Sequence, residues 1–116
     1  MITELTNPRE TYQTDDHPQT LTFQAKAQTL ALPYFHLRSI RLSRDRASIA
    51  IDYDDFGIVI HGAHLEKLWR ELRAYRLLEV SVSLLTTVES EIASESGRCR
   101  VERIDIQTKG EEDGDG

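Results

Sequence analysis

A change of period constrains this chain more than any other feature. Between Leu21 and Ile60 apolar residues recur at every second position in short runs, and after Gly62 they recur three and four apart. The run "TLTFQA" puts Leu21, Phe23 and Ala25 in phase. "TLALPY" does the same for Leu30 and Leu32, "SIRLS" for Ile40 and Leu42, "SIAIDY" for Ile49, Ile51 and Tyr53, and "GIVIHG" for Ile58 and Ile60. Alternate side chains of a strand point to opposite faces, so each run reads as a strand with one buried and one solvated side. The loops between them agree. Ser43-Arg44-Asp45-Arg46 is a short polar connection, and Asp54-Asp55-Phe56-Gly57 reads as a type I turn closed by a glycine in the left-handed region.

Beyond Gly62, Leu65, Leu68, Trp69, Leu72 and Tyr75 fall on one helical face, with Glu66, Lys67, Arg70, Glu71 and Arg73 opposite. Glu66 near the start and Arg73 and Arg76 near the end suit the helix dipole. Alternation returns in "LLEVSVSLL", with Val80, Val82 and Leu84 in phase, and again in "RCRVERIDIQ". In that last run the phase slips between Val101 and Ile104, which predicts a bulge or bend. The stretch "TTVESEIASESGR" between them reads as a short helical turn. These elements predict an α+β fold: an antiparallel sheet of five to seven short strands with one long amphipathic helix packed on one face.

A chain of 116 residues supports one core. Residues 1–19 are polar and broken by Pro8 and Pro18, and are expected to be mobile; residues 20–107 form the domain; residues 108–116 form an acidic disordered tail. The net charge is -6, and becomes -2 once Glu111, Glu112, Asp113 and Asp115 are set aside. So little basic excess argues against a nucleic-acid partner, whose phosphates call for clustered Lys and Arg. No apolar run reaches the roughly 18 residues that cross a bilayer, and the N-terminal residues lack a basic stretch followed by an apolar one. A cytoplasmic protein with no membrane partner is the expectation. Cys99 is the sole cysteine, so no internal disulfide forms, and its place beside Val101 reads as a small buried thiol.

The stretch "IDYDDFGIVIHGAHLEKLW" carries the residues that most resemble a site. Asp-Phe-Gly holds magnesium in kinases only with a glycine-rich loop, a strand lysine and a catalytic loop, none of which is present. His61 and His64 are three apart and are the metal candidates; His36 and Asp52 are other donor types in the chain, but nothing in the sequence fixes them nearby. Gly62 separates the pair at the strand-to-helix junction, however, and zinc needs a third ligand, so histidines flanking a helix start are preferred. Asp52, Asp54 and Asp55 read as solvated carboxylates of a strand and turn rather than an acid-base pair. The arginines gather at 38, 41, 44 and 46, at 70, 73 and 76, and at 98, 100 and 103. Of these, Arg70 and Arg73 share the exposed helix face and are the candidates for binding an acidic partner or phosphate through the guanidinium fork.

The segment "LALPYFHLRSIRLS", followed by "SIAIDY", "GIVIHG" and "AHLEKLWREL", resembles small uncharacterised bacterial domains with a pleckstrin-homology-like layout, in which a Pro-Tyr ends a strand and a later helix closes the sheet. The resemblance covers about residues 30 to 76 and brings no catalytic residues. Strands that follow the helix depart from that plan, where the helix is terminal. The resemblance implies a binding or scaffolding domain. Taken together, the residues lead us to expect a non-enzymatic protein-interaction or scaffolding domain, open to homodimerisation through a free sheet edge or the helix and needing no cofactor; the alternative is a small-ligand or metal-binding protein using His61, His64 and nearby carboxylates.

Overall fold

Among the described residues each run of alternating apolar residues contributes a strand, although that of "LLEVSVSLL" ends at Ser81, and two sheets share them. The computed structural model describes residues 11–82 and 99–109. In chain order the elements are β1 (Tyr12–Thr14), β2 (Thr20–Gln24), β3 (Thr29–Pro33), a 3-10 turn (Tyr34–His36), β4 (Leu37–Leu42), β5 (Ser48–Tyr53), β6 (Phe56–Ala63), α1 (Glu66–Arg73), β7 (Leu77–Ser81) and β8 (Arg100–Thr108). One sheet has the order β1-β7-β2-β3 and the other β4-β5-β6-β8. The expected single sheet is thus two sheets of four strands, and the expected long helix is one of eight residues. The sheets are not purely antiparallel either, because β2 and β7 run parallel. Residues 86–97, read as a helical turn, lie outside the described residues, as do Leu84, Arg98 and the last seven residues. β1 falls within the polar N-terminal stretch and pairs with β7.

The two sheets and the helix close on one cluster. Leu21 and Phe23 of β2, Leu77 and Val80 of β7, Ile49, Ile51 and Tyr53 of β5, Ile58 and Ile60 of β6, and Val101 and Ile104 of β8 are all buried together. Burial of each such side chain contributes about 1.5–3 kcal/mol, so the alternating faces specify the fold through these residues. Leu65, Leu68 and Leu72 add the apolar stripe of α1 to the same cluster.

The helix stops early for a local reason. Tyr75 has a φ of 59°. Its N–H donates to the Leu72 carbonyl and the Arg76 N–H donates to that of Glu71, the paired bonds of a Schellman end. A tyrosine in the left-handed region costs about 1 kcal/mol relative to glycine, and a ring stack on Tyr34, with centroids 4.7 Å apart, offsets it. Tyr75 therefore caps the helix instead of extending its stripe. At the other end, β6 runs through Gly62 to Ala63, and His64 with a φ of 55° turns the chain into α1.

Gly62 is required where β6 meets β8. A Cβ at this position would lie 2.0 Å from the Arg100 carbonyl oxygen. The register shifts here, with His61 opposite Arg103 and Gly62 opposite Val101, so Glu102 has no opposite number on β6. That bulge accounts for the phase slip seen in the sequence. Gly57, expected to close a turn in the left-handed region, is instead a strand residue opposite Asp52. The turn before it is the two residues Asp54 and Asp55, neither of which has a positive φ.

Candidate functional site

The residues singled out by sequence are dispersed over both sheets and the helix. His61 sits on the solvated face of β6, where its Nε2 lies 3.0 Å from Asp105 Oδ2 and 3.2 Å from Arg103 Nη2. The Arg103 Nε also donates to Asp105 Oδ2, at 3.1 Å. His61 is thus one corner of a cross-strand charge cluster whose ring nitrogen bonds Asp105 or Arg103 according to its tautomer. His64 is exposed, beyond the end of β6. Among the described residues no three His, Cys, Asp or Glu side chains gather where they could hold a metal ion.

The aspartates are separated as well. Asp52 on β5 is held by the Lys109 ammonium, which also donates to the Tyr53 carbonyl at 2.8 Å. Asp54 pairs with Arg38 at 2.7 Å. The carboxylate of Asp55 has no hydrogen-bond or ion-pair partner among the described residues. Arg70 and Arg73 are exposed along α1. Arg100 pairs with Glu102 at 2.6 Å. Cys99 is half-buried near the Thr11 hydroxyl, and burial pushes its thiol pKa up, away from the thiolate needed for nucleophilic work.

What the fold does gather is a corner between the two sheets. The 3-10 turn carries the chain from β3 in one sheet to β4 in the other. Tyr34 anchors it from inside, its hydroxyl donating to the Leu77 carbonyl at 2.6 Å. Burial, with Tyr53 nearby, pushes that phenol well above its ordinary pKa. Tyr53 is buried beside it and its pKa is pushed up to about 12, chiefly by desolvation. The Tyr53 hydroxyl has no hydrogen-bond partner among the described residues. Phe35, next to Tyr34, points the other way and is 88% exposed. Beside it a depression of about 300 Å³ is lined by Leu32, Pro33, His36, Tyr53, Phe56 and the two turn aspartates, Asp54 and Asp55.

The corner adjoins a sheet edge unlike the others. β1 is three residues long and its pairing with β7 is irregular between Gln13 and Thr14. β4 has an irregularity between Leu37 and Ser39 and carries Arg38 and Arg41. β8 has the Glu102 bulge together with Arg103 and Asp105. Bulges and charges are the devices by which edge strands avoid pairing with other chains. β3 has neither. Its register with β2 is unbroken from Thr29 to Pro33, and residues 27–37 contain no Asp, Glu, Lys or Arg. The sequence leads one to expect an available sheet edge, and the charge-free run into Phe35 is visible there, but alternation does not say which strand is the edge.

No helix among the described residues is long and apolar enough to cross a membrane. No family model, curated protein or solved structure matches the chain.

Proposed function

We propose that the protein is a non-enzymatic interaction module that binds by adding a strand to the β3 edge. The observation that carries this reading is the contrast among the four edges: β3 alone, among the described residues, has an unbroken register and no charge. An open edge of this kind gives affinity through main-chain hydrogen bonds and specificity through neighbouring pockets. Phe35 and the depression beside it lie where such a pocket is needed. A binding role also fits the shifted groups, since Tyr34, Tyr53 and Cys99 all move away from ionisation at neutral pH. It agrees with the binding role that the pleckstrin-like resemblance implies.

The test is photo-crosslinking in the native host. A benzophenone amino acid replaces Phe35, and a control chain carries it at Lys67 on the exposed side of α1. The expected result is a discrete adduct from position 35 that position 67 does not give. Equal, diffuse labelling from both positions would remove the reading.

A further inference from the structure

The partner of this edge can be named from the edge itself, on the assumption that β3 is the binding strand. The backbone phase of β3 follows from two hydrogen bonds that bracket its ladder. Ala25 N–H donates to the Gln28 carbonyl at 2.9 Å and Tyr34 N–H donates to the Gln19 carbonyl at 3.0 Å. With Leu21 opposite Leu32 and Phe23 opposite Leu30, antiparallel alternation makes Leu30 and Leu32 the residues that bond β2. Thr29, Ala31 and Pro33 therefore turn their backbone groups away from β2. Proline sits where its missing N–H leaves no gap in the β2–β3 ladder, as edge-strand prolines do.

We propose that a second copy of this chain pairs with β3, antiparallel, about a two-fold axis at Ala31. Ala31 of each copy then exchanges two bonds with its equivalent, and each Thr29 N–H donates to the other copy's Pro33 carbonyl. The pairing uses every outward N–H of the strand, and Pro33 has none to lose. Leu30 of one copy faces Leu32 of the other on the inner side, covering two side chains that are only half-buried in one copy. No like charges meet along the strand, because none are present.

Charge complementarity at the ends supports the same register. A two-fold at Ala31 brings the turn between β2 and β3 of one copy, which holds Lys26, toward the 3-10 turn Tyr34–His36 of the other. Lys26 is exposed and has no partner among the described residues. His36 lines the depression rimmed by Asp54 and Asp55, and the Asp55 carboxylate is free there. Each copy thus carries the exposed Lys26 ammonium toward the end of the other copy where the Asp55 carboxylate has no partner among the described residues, twice across the axis, with Phe35 beside the arriving turn. An isologous interface needs this reciprocity.

Sedimentation velocity across a concentration series tests the register. Wild-type protein is expected to dimerise reversibly, with dissociation rising with salt. Ala31→Lys and Ala31→Glu, both on an exposed side chain that β2 does not need, are each expected to weaken self-association at least tenfold with unchanged melting. Mixed in equal amounts they should associate again, because the axis places position 31 against itself. Lys26→Glu and Asp55→Lys should each weaken the dimer, and the doubly exchanged chain should recover. A wild-type monomer at millimolar concentration overturns the proposal, as does a dimer indifferent to position 31 or a mixture that stays monomeric. The crosslink from position 35 separates this from the broader reading: an adduct of twice the chain mass supports self-pairing, whereas an adduct with a different protein removes self-pairing and leaves the edge a binding site.

Discussion

The β3 and β8 edges face opposite problems and solve them with different residues. β8 is nine residues long, the longest strand described, and among the described residues it pairs on one side only, with β6; a long edge is the kind that most needs protection against pairing with another chain. It carries Glu102, Arg103 and Asp105, and its bulge breaks the ladder against β6. β3 is five residues long, uncharged and unbroken. The comparison teaches that exposure of an edge is not by itself a binding signal; the residues on it decide whether another strand can dock.

Gly62→Ala breaks the comparison most severely. Its methyl group meets the Arg100 carbonyl, a backbone atom that cannot swing aside, so the bulge that shapes the β8 edge must open. We expect a loss of about 3 kcal/mol in urea denaturation, and an unchanged midpoint would show that β8 does not depend on this close approach. Next in size is the anchor of the β3 corner. Tyr34→Phe leaves the buried Leu77 carbonyl without its donor and should cost about 1–2 kcal/mol, together with faster amide exchange in β3 than in β8.

The same corner predicts a response to alkali. The unfolded chain ionises its phenols near pH 10, whereas the folded chain keeps the proton of Tyr53 until about 12. The unfolded form therefore binds fewer protons above pH 10, and stability falls as pH rises, by about 1.4 kcal/mol per pH unit for each buried tyrosine that stays protonated. Denaturation midpoints measured from pH 9 to 11.5 check the slope. Tyr53→Phe should remove its share of the slope and leave that of Tyr34 and, by removing a buried hydroxyl with no partner among the described residues, leave neutral-pH stability unchanged or raise it by up to about 1 kcal/mol. A clear loss at neutral pH would mean that the hydroxyl is bonded in solution.

The smallest effect belongs to the charges that guard β8. Arg103→Ala disrupts the contacts to His61 and Asp105, but these groups are largely exposed, and the change in stability should stay within about 0.5 kcal/mol. Replacing both Glu102 and Arg103 with valine should instead show up as concentration-dependent aggregation in light scattering, because the charges that protect the edge are gone. Equal solubility would show that the bulge alone suffices.

Much of this was legible in the residues, and the parts that were not share a cause. Alternation located β2 to β6 because Leu21, Phe23, Ile49, Ile51, Ile58 and Ile60 must all leave water. The slip between Val101 and Ile104 located the bulge of β8. Alternation states which face of a strand is buried and says nothing about which sheet the strand joins, so two packed sheets looked like one. Tyr75 continued the helical spacing, yet stacking on Tyr34, 41 positions away in sequence, holds it in a conformation that ends the helix. His61 and His64 are close in sequence and so stand out as a pair, whereas Lys26, Phe35 and Asp55 are far apart in the chain and no sequence pattern joins them.

By itself, the sequence determined which alternate positions of β2, β5 and β6 are buried and that residues 27–37 contain no Asp, Glu, Lys or Arg. Only the tertiary structure decided that this uncharged run forms a sheet edge among the described residues, that Tyr34 pins its end while Phe35 stays outside, and that the other edges described are bulged or charged. The physical reason is that burial is a property of each residue, whereas an edge exists only by virtue of the strand that is not beside it.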